Sequence, residues 1–291
     1  SVKMKPFSRI ISGTMTWGSW GSHFSTKKMR ALIEGAMSLG ISTFDHADIY
    51  GGYTTEKEFG IAFKESGIPR ENVQFITKCG IQMPCEARPL PVKHYDYSAS
   101  HIRMSVENSL LKLQTDYIDL LLLHRPSPLI DGAIVAEEFQ KLQKEGKVKQ
   151  LGVSNFTSSQ MQLLQKEVSL TWNQLECSLT YEIPMFDGTL DHMKYQNIGA
   201  MAWSPLGSYF KENSIQKQRI QKVIVPLCNK YNCTEDQLLL AWLICNPSKI
   251  YPVVGTTSVK RMKKSIEAID IKMDIIDWFL LLEASMGKPL P

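Results

Sequence analysis

The stretch Phe44-Asp45-His46-Ala47-Asp48-Ile49-Tyr50-Gly51-Gly52-Tyr53 sets carboxylates, an imidazole and phenols close together, more titratable groups than a solvated turn needs. Lys78 follows another apolar run, Val73 to Thr77, and His124 follows Tyr117 to Leu123. Asp45, Tyr50, Lys78 and His124 together suit proton delivery to a carbonyl oxygen. A phenol, with a reference pKa of about 10, is a poor acid at neutral pH. A neighbouring ammonium stabilises the phenolate and lowers that pKa, and a carboxylate beside the ammonium keeps it charged and oriented. Tyr50 is therefore the candidate proton donor, with Lys78 and Asp45 tuning it and His124 donating a hydrogen bond to the substrate oxygen. His46 and Asp48 read as orienting or solvent-facing rather than catalytic.

Carbonyl reduction also needs a hydride, which no side chain supplies, so a nicotinamide cofactor is implied. Ser154, Asn155 and Gln174 offer a hydroxyl and two amides for a carboxamide, and Trp203 offers a flat face for the ring. Thr256, Thr257 and Arg261 lie at the start of an expected helix, where amides and a guanidinium favour phosphate. Trp17, Trp20, Tyr53 and Tyr209 fall in loops on the same rim and are candidates to line an apolar substrate pocket.

Positioning these groups requires elements that end together. Short Ile-, Val- and Leu-rich runs alternate with segments whose apolar residues recur three and four apart, as strand and helix do in turn. The expected strands are 9–12, 41–44, 73–77, 117–123, 150–153, 171–175, 199–203 and 251–254. Expected helices begin at or after Thr26, Ser98, Thr157, Thr234 and Ser258, and another runs over 137–145 to stop at Gly146. Eight such units suit an α/β fold, the closed (β/α)8 TIM barrel, whose active sites gather at the carboxyl ends of the strands. A doubly wound open sheet predicts GxGxxG after the first strand, and Gly13-Thr14-Met15-Thr16-Trp17-Gly18 lacks that spacing. Without it, the YxxxK match at Tyr53 to Lys57 is a coincidence.

The remaining composition narrows the function class. The 291 residues carry 33 Lys and Arg against 29 Asp and Glu, a net charge of +4 with one basic cluster at 260–264, which disfavours nucleic acid as the partner. The six cysteines contain no CxxC pair and no metal-ligand arrangement, and read as reduced thiols in a cytoplasmic protein. No apolar run approaches the length that crosses a bilayer, so no membrane partner is expected.

The motifs resemble the aldo-keto reductase family over nearly the whole chain. DxxxxYG appears as Asp45 to Gly51, the strand-end lysine as Thr77-Lys78 and LLLxH as Leu121 to His124. Gly152-Val153-Ser154-Asn155-Phe156, Asn173-Gln174 and Trp203-Ser204-Pro205-Leu206-Gly207 follow in the family's order. The resemblance implies one barrel domain over 1–291 that binds NADPH in an extended form. It implies that Ser154, Asn155, Gln174, Trp203, Ser204, Leu206, Gly207, Gly255, Thr256, Thr257 and Arg261 hold the cofactor. It also implies reversible reduction of aldehydes or ketones, in a monomer or weak dimer. Trp203 replaces the usual stacking tyrosine, and Gly255 stands where many members place a lysine for the 2′-phosphate. NADPH preference over NADH then rests on Arg261, with Lys260 and the threonines. The alternative is an NADP(H)-binding, redox-sensing subunit with little turnover.

Overall fold

The computed structural model of the chain describes residues 5–291. Its strands are β1 (Ile11–Gly13), β2 (Thr43–Asp45), β3 (Gln74–Cys79), β4 (Ile81–Gln82), β5 (His94–Tyr95), β6 (Ile118–Leu123), β7 (Val148–Ser154), β8 (Trp172–Glu176), β9 (Gly199–Trp203) and β10 (Tyr251–Val254). Around them run α1 (Thr26–Ser38), α2 (Tyr50–Tyr53), α3 (Thr55–Ser66), α4 (Ala99–Leu113), α5 (Gly132–Lys144) and α6 (Ser158–Gln165). The second half adds α7 (Ile183–Phe186), α8 (Thr189–Tyr195), α9 (Ile215–Tyr231), α10 (Glu235–Ile244), α11 (Val259–Glu267) and α12 (Ile275–Met286).

Eight parallel strands close into a barrel in the order β1-β10-β9-β8-β7-β6-β3-β2, and β4 and β5 pair separately as a hairpin. This is the (β/α)8 barrel expected from the strand and helix rhythm, and each expected strand is present within a few residues. Both faces of a parallel strand are covered, which is why β6 reads Ile-Asp-Leu-Leu-Leu-Leu and is buried throughout. Leu120 and Leu122 join Ile11, Ile76, Met201 and Val253 in one apolar cluster, while Leu121 and Leu123 join another. Strand alternation separates these two sets, one inside the barrel and one under the helices. Phe7 stacks on Trp172 at 5.4 Å, and Trp172 meets Tyr251 edge-on at 5.0 Å, adding aromatic mass to the inner cluster.

Capping chemistry fixes many helix starts. Ser98 accepts from His101 N, Thr157 forms a capping box with Gln160, and Ser258 accepts from Arg261 N. The first helix begins at Thr26, but Ser25 is its cap, and α5 starts at Gly132 because Asp131 accepts from Ala133 N and Ile134 N. Helices α9 and α12 were absent from the sequence pattern. Helix α12 is held to α10 by reciprocal bonds: Trp242 Nε1 donates to Trp278 O at 3.0 Å and Trp278 Nε1 to Trp242 O at 2.9 Å, with the rings stacked 4.5 Å apart. Helix α9 is tied to α12 through Asp277, which accepts from Lys230 Nζ at 2.7 Å and Tyr231 Oη at 2.5 Å.

Candidate active site

Asp45 closes β2, Lys78 lies near the end of β3, and His124 directly follows β6, so three neighbouring strands deliver their polar residues to one mouth. Along β3, Lys78 stands two residues beyond the inward Ile76, and alternation turns its chain inward as well. Lys78 is 1% exposed, and its ammonium donates to Asp45 Oδ2 at 2.8 Å, His46 O at 2.9 Å and Tyr50 Oη at 3.0 Å. An ammonium has three donors, so all are engaged. Burial alone would push the Lys78 pKa down, but Asp45 and Tyr50 outweigh it and leave the group above its ordinary value, charged at neutral pH.

Burial pushes the Tyr50 phenol up, and Lys78 opposes that push without reversing it, so the net shift is upward. This corrects the expectation that the lysine lowers the phenol below its ordinary range: the desolvation of a buried phenolate is the larger effect. The resting form is the protonated phenol. His124 is held well below its ordinary value by burial, then by the charges of Lys78, Arg125 and Lys93, so its ring is neutral. Its Nδ1 is buried without a partner, and its backbone N donates to Cys79 O at 2.9 Å.

The segment between Asp45 and Tyr50 is buried rather than solvent-facing. His46 is fully buried, with Nδ1 2.9 Å from Thr14 Oγ1 and its ring edge-on to Phe59 at 4.2 Å. Asp48 is 5% exposed, and neither of its carboxyl oxygens has a partner. Gly51 and Gly52, at φ of 67° and 66°, take the left-handed turn that lets the chain leave after Tyr50.

Gln174 is placed differently from its expected role. It is buried, and Nε2 donates to Asp45 Oδ1 at 2.9 Å, so its amide fixes the carboxylate that holds Lys78. Strand order identifies Gln174 as a mouth residue but does not say which neighbour claims its amide. Ser154 Oγ donates to Gln174 O at 2.9 Å. Asn155 donates from Nδ2 to His124 O at 3.2 Å and to Ser154 Oγ at 3.0 Å, and accepts from Trp203 Nε1 at 2.9 Å. One amide thus links the ends of β6, β7 and β9 and fixes the half-buried Trp203 ring.

Beyond β9, Ser204 and Gly207 have φ of 46° and 59°, with Gly207 N donating to Ser204 O and Leu206 half-buried between them. A Cβ on Gly207 would lie 1.9 Å from Thr180 Oγ1, so the turn passes too close for any side chain. Gly255 is exposed, with open space where a side chain would project. Thr256 and Thr257 follow it, half-buried, Thr256 Oγ1 has no partner, and Arg261 is exposed on the first turn of α11.

The proposed aromatic rim is mostly packing. Trp17 is fully buried against Phe59, with Nε1 3.4 Å from Thr256 O. Tyr53 is buried with its hydroxyl accepting from Met83 N at 2.9 Å, and Tyr209 is buried with its hydroxyl donating to Glu235 at 2.9 Å. These three have almost no surface to offer a substrate, because loop aromatics bury themselves when the loop folds over them. Trp20 differs: it is 40% exposed and its ring lies 6.0 Å from that of Tyr50. Sequence reasoning gave no role to the charged groups near Trp203. Arg125 lies 5.8 Å over the Trp203 ring, and Glu176, at the end of β8, is in register with Trp203. The pairing of His124 with a following arginine was the available signal.

The description "Aldo/keto reductase family" belongs to a family model that matches residues 9–283. The chain is 42% identical to the uncharacterized oxidoreductase YcsN of Bacillus subtilis, covering 98% of this chain and 96% of that protein. It is 38% identical to a 6-dehydroglucose reductase of Agrobacterium fabrum, covering 97% and 95%. Among solved structures, an aldo-keto reductase from Klebsiella pneumoniae in complex with NADPH has a TM-score of 0.79 at 24% identity, covering 98% of this chain and 93% of that one. A glycerol dehydrogenase from Gluconobacter oxydans has a TM-score of 0.85 at 21% identity, covering 99% and 95%.

Proposed function

Because the chain belongs to the aldo/keto reductase family and is an NAD(P)H-dependent oxidoreductase, we propose that it reduces aldehydes or ketones to alcohols with NADPH, reversibly, and that Tyr50 gives the proton. The observation that carries this reading is the buried Lys78 ammonium, shared between Asp45 at 2.8 Å and Tyr50 at 3.0 Å. A buried ion pair is a poor device for stability, since desolvation offsets most of the attraction. Set beside a phenol at a barrel mouth, it is a good device for chemistry.

The residues present fit a nicotinamide dinucleotide. Trp203 presents a fixed, half-exposed ring, Asn155 Oδ1 keeps a second lone pair for a carboxamide, and the unpartnered Thr256 hydroxyl and exposed Arg261 stand at the start of α11. The bound cofactor would supply the hydride. As negative charge develops on the substrate oxygen, Tyr50 transfers its phenolic proton to it, and Lys78 stabilises the phenolate left behind. Asp45, held by Gln174, keeps Lys78 charged and aimed. A buried unpaired donor costs more than a buried unpaired acceptor, so the neutral His124 ring carries its proton on Nε2, free to donate to the same oxygen. Arg261 and its basic neighbours favour the extra phosphate of NADPH over NADH.

The test is loss of NADPH absorbance over a panel of aldehydes and ketones, with NADH in parallel. The panel includes 6-dehydroglucose, after the name of the Agrobacterium relative, and other hydrophilic carbonyls suited to a mouth bearing Arg125 and Glu176. Turnover of at least one carbonyl, faster with NADPH than with NADH, is expected. Cofactor binding without turnover of any panel member would overturn the reading.

A further inference from the structure

Behind the Tyr50–Lys78 pair lie two buried carboxyl groups that the proposed proton transfer does not use. Glu56, on α3, is 2% exposed and accepts from Thr77 Oγ1 at 2.7 Å and Ser109 Oγ at 2.9 Å. Asp48 is 5% exposed and no side chain donates to either of its oxygens, so that the Ile49 amide is left as the backbone group favouring its charged form, while its own backbone N donates to Lys78 O at 3.2 Å. The Thr77 and Ser109 hydroxyls therefore serve Glu56 and not Asp48. A carboxylate given donors tolerates burial, whereas one without them favours its neutral form, more so beside a second negative group.

We propose that Asp48 is a positioning residue that is neutral while the enzyme reduces its substrate, and that its ionisation weakens Tyr50 as an acid and ends the active range on the alkaline side. The inference rests on Tyr50 being the proton donor. The groups facing Asp48 are Glu56 from α3, Arg88 from the loop after β4, Lys112 from α4, and Tyr50 from α2. Tyr53 from α2, Cys79 from β3 and Tyr97 before α4 face it too. Burial is the largest influence and Glu56 adds to it, while Arg88, the Ile49 amide and Lys112 oppose it, leaving Asp48 pushed up to about 8. A charge on Asp48 raises the Tyr50 phenol further, because the phenolate formed in the reaction would then stand beside an additional anion. The proton balance is simple: above about pH 8 Asp48 loses its proton to solvent, and Tyr50 holds its own more tightly.

Two measurements test this. The first is kcat/KM for reduction against pH, each variant scaled to its own plateau. Wild type is expected to fall off above about pH 8, and Asp48→Asn to carry the fall upward towards the ionisation of Tyr50 itself, which burial holds above the ordinary phenol value of about 10. An unchanged alkaline limb in Asp48→Asn would overturn the coupling. The second needs neither the variant nor turnover: the wild-type protein is labelled with carbon-13 at aspartate Cγ and titrated by NMR. One aspartate is expected to ionise near pH 8, and finding every aspartate ionised by about pH 6 would overturn the proposal. Because this titration is independent of activity, an error about Asp48 is separable from an error about Tyr50.

Discussion

Lys78 shows what a single side chain contributes here: three donors satisfied by a carboxylate, a carbonyl and a phenol, with no surface left for water. The partnership of Asp45, Tyr50 and Lys78 was legible because Asp45 and Lys78 each follow an apolar run, Tyr50 lies in the loop after Asp45, and a barrel brings strand ends together. Burial was not legible. His46 and Asp48 read as peripheral, yet both are enclosed, because the chain turns inward beneath Phe59 before Tyr50. The position of Gln174 was likewise readable, but its bond to Asp45 depends on side-chain direction within the mouth. The enclosure of His46 has a measurable consequence. Burial, then Lys78 and Arg70, lower its pKa to about 3, while an unfolded histidine titrates at about 6.5. The unfolded state takes up the proton first, so stability is fully present above about pH 6.5 and falls as pH drops towards the folded value. Denaturant unfolding at about pH 7 and about pH 4.5 is expected to show a loss of up to about 3 kcal/mol from this group. His46→Gln should flatten that part of the curve, and an equal loss in the variant would contradict the assignment.

At the scale of elements, the barrel strands were readable because a parallel strand buried on both faces is an apolar run, as β6 is. The helices were read unevenly. Helices α1, α4, α6, α10 and α11, opened by Ser or Thr, were found, whereas α3 behind Thr54 was missed, α9 carries Pro226 inside it and α12 is apolar nearly all round, leaving no stripe to detect. The two-residue strands β4 and β5 are too short for any periodicity. What the sequence could not convey about α12 is how it is held, since the exchange between Trp242 and Trp278 is a tertiary contact. Trp242→Phe keeps an aromatic ring but leaves Trp278 O without its donor. We expect a loss of about 2 to 3 kcal/mol in denaturant unfolding, with the NADPH dissociation constant unchanged because α10 and α12 meet away from the strand ends. Unaltered stability would mean that the bond from Trp242 Nε1 contributes nothing.

At the scale of the molecule, barrel closure makes the site possible: Asp45, Lys78, His124, Asn155, Gln174 and Trp203 come from six strand ends, and a closed sheet turns that separation in sequence into one mouth. We take residues 1–291 to act as one barrel domain. The same geometry spreads the two halves of the proposed reaction around the mouth. The proton side lies on β2, β3 and β6, and the proposed cofactor side on β7, β9 and the start of α11. The halves should therefore respond separately to mutation. The most direct measurement compares Tyr50→Phe with wild type in aldehyde turnover and in NADPH binding, followed by quenching of tryptophan fluorescence. Turnover is expected to fall by a hundredfold to ten-thousandfold, roughly the contribution of a positioned general acid, with NADPH binding near wild type. Turnover that survives in Tyr50→Phe would contradict the role given to Tyr50 and to the lysine and aspartate arranged behind it.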